Sequence, residues 1–160
     1  MTTPSPEQPK LTPANQNPWY ILMTLHGEQP EGAGALRMDE ALHAKNRRDW
    51  NRFVANSLTP EWRATLLAMK EIDGASRYSE DELTPLDEAE KANFSRIFHE
   101  RCQSLEITST IPNIEYGMID LSRTLFNRPF SVDGFIFPFP ILFSHSHFSF
   151  DIHFFNSIFL

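Results

Sequence analysis

The chain has 160 residues, a formal net charge of −7 and a single cysteine. This length holds one compact domain or a small domain with an appendage, and the acidic balance disfavours nucleic acid, whose binding needs a basic face. A lone Cys102 excludes an internal disulfide framework and fits a reducing, cytoplasmic setting, while the start MTTPSPEQPK lacks the charged and apolar runs of a secretory signal.

In chain order, the Pro, Thr and Gln of residues 1–15 predict a disordered arm. An α-helical module is expected over 16–106. It opens with NPWYILMTLHG, where Asn17 reads as an N-cap, Pro18 as the first helical residue and Gly27 as the stop. The continuous apolar run also suits a buried strand, and in either form Trp19, Leu22 and Leu25 are core residues. GEQPEGAGAL then reads as a loop.

From Arg37 to Leu58 the pattern is helical. Leu42, Ala44, Trp50, Phe53 and Val54 make one face, and Asp39, Glu40, Lys45, Arg47, Arg48, Asp49 and Arg52 the charged one. Thr59-Pro60-Glu61 reads as a further helix start, with Trp62, Leu66, Leu67 and Met69 as its stripe and Gly74 as its terminator. Thr84-Pro85-Leu86-Asp87 predicts another, running to about Leu105. Leu-Thr-Pro occurs at 11–13, 58–60 and 83–85, and reads as reuse of a good helix start. Ile107 to Pro112 is β-branched and expected to be extended.

The tail, expected to form a third region over 107–160, holds eleven of the fourteen phenylalanines. They follow neither the helical nor the strand period. The dominant spacing is five, in the pairs Leu121/Phe126, Phe130/Phe135, Phe143/Phe148 and Phe154/Phe159, with Tyr116 extending the series backwards. Steps of four, six and eight interrupt it, the longest at Pro138 and Pro140. Such a period suits a chain that coils with a short straight segment and a corner per repeat, each coil burying its rings against the next. An ordinary hairpin or sandwich edge is the plain alternative. A membrane-spanning helix is excluded by Pro138, Pro140, Asp133, Asp151 and three histidines.

With Phe143, Phe148 and Phe159 as centres, Ser146 and Ser157 two residues before, and Ser144 and Ser149 just after, the tail resembles the start of a pentapeptide-repeat array. The resemblance implies an α+β chain: an N-terminal α-helical module, then the start of a right-handed quadrilateral β-helix, a solenoid. Leu121, Phe126, Phe130, Phe135, Phe143, Phe148, Phe154 and Phe159 would be its repeat core. Ile141 and Ile152 stand where the family places a small residue. The resemblance also implies a non-enzymatic scaffold that presents a surface to a protein partner, without a cofactor. Some members mimic the shape and charge of DNA, but between Phe126 and Leu160 this tail has only Asp133 and Asp151 against Arg128. About two turns of coil are expected, ending in unpaired strand groups and apolar surface that invite self-association. The leading expectation is truncation of a longer array, with a second copy over the open end as the alternative.

The competing class is a metal-binding module or metal-dependent enzyme built on His145, His147 and His153 with Asp151, since residues two apart in an extended chain share a face. Against it, these positions suit the outside of a coil. Cys102 and His99, three apart on one expected helix, can touch, but a helix surface supplies neither an oxyanion hole nor a third group. Arg47, Arg48 and Arg52 around Trp50 suggest an anion site, diluted by Asp39, Glu40 and Asp49. No phosphate loop, nucleophile elbow or zinc-finger spacing is present.

Overall fold

The computed structural model describes residues 10–31, 38–114 and 117–160. The first nine residues of the expected arm, the second half of the GEQPEGAGAL loop with Arg37, and Tyr116 lie outside them. The chain is mixed helix and strand, with five helices and nine short strands among the described residues.

Helix starts follow local chemistry. In α1 (Pro18–Met23) Asn17 Oδ1 accepts from Trp19 N, and Pro18 takes the position where a missing N–H costs nothing. Helix α2 (Glu40–Ala55) begins on Asp39, which caps Leu42 N instead of joining the charged face. Thr59 caps α3 (Pro60–Ala68), whose Trp62 is exposed while Leu66 is buried. The helix stops well before Gly74, which instead turns a short bridge between Lys70 and Ser76.

Two expected starts are corrected. Thr84 follows the one-turn α4 (Glu80–Leu83), capped by Ser79, and does not open the long helix. That helix, α5 (Glu88–Ser104), is capped by Asp87, whose side chain takes Glu90 N while Glu90 returns to Asp87 N. A reciprocal capping box satisfies two free donors where Thr84 would satisfy one. The Leu-Thr-Pro triplet at 11–13 is also no helix start, because Thr12–Pro13 is strand β1. Ala14 behind it is buried, so residues 10–15 are an ordered part of the fold, not a disordered arm. Residues 107–113 adopt neither helix nor strand.

Eight strands follow: β2 (Ile119–Asp120), β3 (Thr124–Phe126), β4 (Phe130–Ser131), β5 (Ile136–Phe137), β6 (Ile141–Leu142), β7 (His147–Phe148), β8 (Ile152–His153) and β9 (Ile158–Phe159). They pair in parallel as β2–β6, β3–β7, β4–β8 and β5–β9, and β1 adds to the other edge of β3. Every ladder in the tail has the same offset: Ile119 lies beside Ile141, Leu125 beside His147, Phe130 beside Ile152 and Ile136 beside Ile158, each 22 residues on. A strict five-residue period over four sides would join residues about 20 apart.

The unit behind this offset is eleven residues, not five. Positive φ recurs at Arg123, Gly134, His145 and Asn156, each step eleven. Phe126, Phe137, Phe148 and Phe159 recur at the same interval, as do Leu121, Val132, Phe143 and Phe154. Each unit makes two strands and one left-handed corner, so strand-to-strand steps alternate between five and six. The corners suit Gly, Asn and His, which tolerate that backbone better than branched residues do.

Rows one (β2–β5) and two (β6–β9) are fastened by rings and hydroxyls. Phe148 stacks on Phe126 with centroids 4.5 Å apart, and Phe159 on Phe137 at 5.2 Å. Ser146 Oγ donates to Leu121 O and Ser157 Oγ to Val132 O, both at 2.6 Å. Helices and first row share one core, in which Trp50, Tyr20 and Phe98 lie with Ile119, Phe126, Phe135 and Phe137.

Candidate interaction surface

Every strand row has two edges, and unpaired backbone groups at either one need a partner or water. In row one, the edge facing the helices is satisfied side by side. Thr12 N donates to Arg123 O at 2.9 Å through β1. Asn17 Nδ2 donates to Asp120 O at 3.1 Å. His43 Nε2 donates to Asp133 O at 3.0 Å. Asn51 Nδ2 donates to Gly134 O at 3.1 Å while its Oδ1 accepts from Ile136 N at 3.0 Å, and Trp50 Nε1 donates to Ile136 O at 2.8 Å. The rings of Tyr20 on Phe130 and of Trp50 on Phe137 close the same edge to water.

The opposite edge, on row two, is different. Row one holds row two through the N–H groups of Ile119, Leu121, Arg123, Val132 and Gly134 and the carbonyls of Phe126, Phe135 and Phe137. Carried forward by one offset, these are the N–H groups of Ile141, Phe143, His145, Phe154 and Asn156 and the carbonyls of Phe148, Ser157 and Phe159. Strands β6 to β9 have no ladder partner on that side among the described residues. Leu142 is 37% exposed, Phe154 37% and Phe159 56%. An open groove of about 450 Å³ runs between Phe143, Phe148, Phe150, Asp151, Ile152 and Phe154. Residues 141–160 contain no Lys, Arg or Pro, the residues that commonly blunt an exposed strand edge.

The expected repeat core divides along this axis. Leu121, Phe126, Phe130 and Phe135 are buried, Phe143 and Phe148 half-buried, and Phe154 and Phe159 exposed. Phe137, absent from that set, is fully buried beneath Phe159. The eleven-residue recurrence of phenylalanine was its sequence signal. Nothing local marked Trp50 and Asn51, whose partners in row one lie more than 80 residues away.

The other candidates disperse. His145 and His147 are exposed and His153 half-buried, and no group of three or more His, Cys, Asp or Glu among the described residues is placed to hold a metal ion. Cys102 is buried, which pushes its thiol pKa up. His99 Nδ1 is turned away to donate to Ser95 O at 2.7 Å. The three arginines are each engaged: Arg47 with Glu82 and over the Tyr78 ring, Arg48 with Asp81, and Arg52 with both oxygens of Glu90. Hydrogen bonds from Arg48 and Arg52 hold the Asp81 and Glu90 carboxyls below their usual range. A second pocket, about 260 Å³ and apolar, lies between Phe53, Leu86, Phe94, Ile111 and Ile114.

No match emerged to a protein-family model, to a curated protein or to a solved structure. No helix among the described residues is long and apolar enough to cross a membrane.

Proposed function

We propose that this chain is a non-enzymatic, cytoplasmic scaffold whose tail begins a four-sided β-helical solenoid, and that it works by protein–protein association at the exposed edge of that coil. The observation that carries the reading is the asymmetry of the strand rows. One edge is covered by six side-chain or strand hydrogen bonds, and the other offers rings and backbone groups without a ladder partner among the described residues. What supports a likeness to pentapeptide-repeat proteins is that each of β2 to β5 pairs with the fourth strand after it and that serines stand two before Phe148 and Phe159. The chain departs from that family in its eleven-residue unit and its 22-residue offset.

The test compares the wild-type chain with Leu142→Lys/Phe159→Lys as baits in a quantitative pull-down. Both side chains are exposed, so the fold survives and the edge becomes charged. Partners enriched on the wild type and lost from the variant support the reading. Equal recovery by both baits removes it. Zinc or nickel titration addresses the metal-binding alternative, and stoichiometric uptake with a thermal shift would favour that class instead.

A further inference from the structure

The apolar pocket beside α5 owes its existence to the way that helix ends. Helix α5 stops at Ser104, and Glu106, at φ +56°, turns the chain back. The returning segment, 107–113, has neither helix nor strand to seat it. Ile111 and Ile114 therefore come to Phe94 on α5 and Phe53 on α2 without filling the space between, and about 260 Å³ is left, bounded also by Leu86. Phe53 and Phe94 stack nearly parallel, 6° apart with centroids at 5.3 Å, and give the space an aromatic wall. An apolar cavity of about 150 Å³ already takes up benzene, so this one has room for a ring and a short chain. Water held there finds few hydrogen-bond partners, and an apolar body that displaces it is favoured.

Two polar residues border the pocket, and they set the class of ligand. Asn56 has spent its donors, since its Nδ2 gives to Arg52 O at 3.2 Å and to Phe53 O at 3.1 Å. Lys91 is the only charged residue lining the pocket among the described residues. Its Nζ donates to Glu88 Oε1 at 2.7 Å, but the two side chains are 47% and 91% exposed. An ion pair so exposed is weak, and an ammonium has three protons to give. We infer that this pocket binds a small arylalkanoate, its ring against Phe53 and Phe94 and its carboxylate on Lys91. The stacked phenylalanines favour a ring over an alkyl chain, and the one lining charge favours an anion over a neutral or cationic head. No strand residue lines the pocket among the described residues, so this site and the association surface on row two are separate.

Titration of the full chain with phenylbutyrate and with phenylbutanol, followed by backbone amide chemical shifts, tests it. The probes share a body that fits the pocket and differ in charge. Both should give saturable shifts at Phe53, Phe94 and Ile111, with the carboxylate binding about three- to fivefold tighter. Lys91→Met should lower the carboxylate to the affinity of the alcohol and leave the alcohol unchanged. Glu88→Gln, which frees the ammonium, should tighten the carboxylate alone. Both residues are exposed, so these variants keep the fold. Ile111→Trp, which fills the pocket, should abolish the shifts from both probes. If it loses its helical circular dichroism, the Lys91 and Glu88 variants carry the comparison. Absence of saturable shifts with either probe overturns the inference, as do equal affinities for the two in the wild type. A preference for the carboxylate that survives Lys91→Met, or binding that persists in a folded Ile111→Trp, overturns it too.

Discussion

The side-chain amide of Asn51 stands in for a neighbouring strand beside Ile136, accepting from its N–H at 3.0 Å while donating to the carbonyl of Gly134 at 3.1 Å. Asn51 is fully buried, so water cannot replace it. Replacing it with Leu keeps the branched shape but leaves a buried donor and a buried acceptor unpaired. At about 1–3 kcal/mol per orphaned group, Asn51→Leu should cost roughly 2–4 kcal/mol. Urea unfolding followed by circular dichroism measures it. A loss below about 1 kcal/mol would show that the row is not held at this point.

Gly134 tests the same corner through its backbone. Its φ is +73°, and an added Cβ would lie 2.8 Å from the Arg47 guanidinium. That guanidinium cannot easily yield, being tied to Arg77 O at 2.8 Å and to Glu82 at 2.8 Å. Gly74 has φ +85° but open space around it. Gly74→Ala should therefore cost only the left-handed backbone penalty, about 1 kcal/mol, and Gly134→Ala at least about 2 kcal/mol. Thermal melts of the two variants side by side give the comparison, and equal costs would refute the close approach.

Tyr78 links the helices to row two, its hydroxyl donating to Asn156 O at 3.1 Å. Burial raises its pKa from 10.0 to about 12, outweighing the opposing effect of Arg47. The neutral phenol is the form the fold prefers. Its contribution is fully present below pH 10 and is lost as pH rises towards about 12. Stability should fall over that interval, with a smaller fall in Tyr78→Phe. Tyrosinate absorbance recorded along the same titration identifies the group, and an identical alkaline fall in the variant would assign it elsewhere.

Protection should decline from the first row to the second. Phe126 is buried between Tyr20 and Phe148, whereas Phe159 stacks on Phe137, touches Phe154 and is 56% exposed. Phe126→Ala should cost about 3–5 kcal/mol and Phe159→Ala about 1 kcal/mol. In denaturant series the two values should separate clearly. A cost for Phe159→Ala as large as that of Phe126→Ala would mean that the terminal ring is buried in solution.

Much of the helical half was legible because its signals are local. A cap joins residues two or three apart, so Asn17 and Thr59 announce their helices in the sequence itself. The error at Thr84 was a competition between two local caps, which Asp87 wins because Glu90 completes its box. The tail was legible as short, aromatic-rich strands, but its unit is eleven residues where five was expected. Ring centres five apart within a unit are more conspicuous than Phe126, Phe137, Phe148 and Phe159, whose spacing defines the unit.

By itself, then, the sequence marked the helix starts at Asn17 and Thr59 and showed that the phenylalanines pack neither as a helix nor as a simple strand. Only the tertiary structure decided which strand edge is closed. The groups that close it, Trp50 and Asn51, lie 86 and 85 residues from Ile136, and a hydrogen bond over that distance leaves no local pattern. It depends on where the folded chain brings two buried polar groups together, and the free edge of row two is what that placement leaves over.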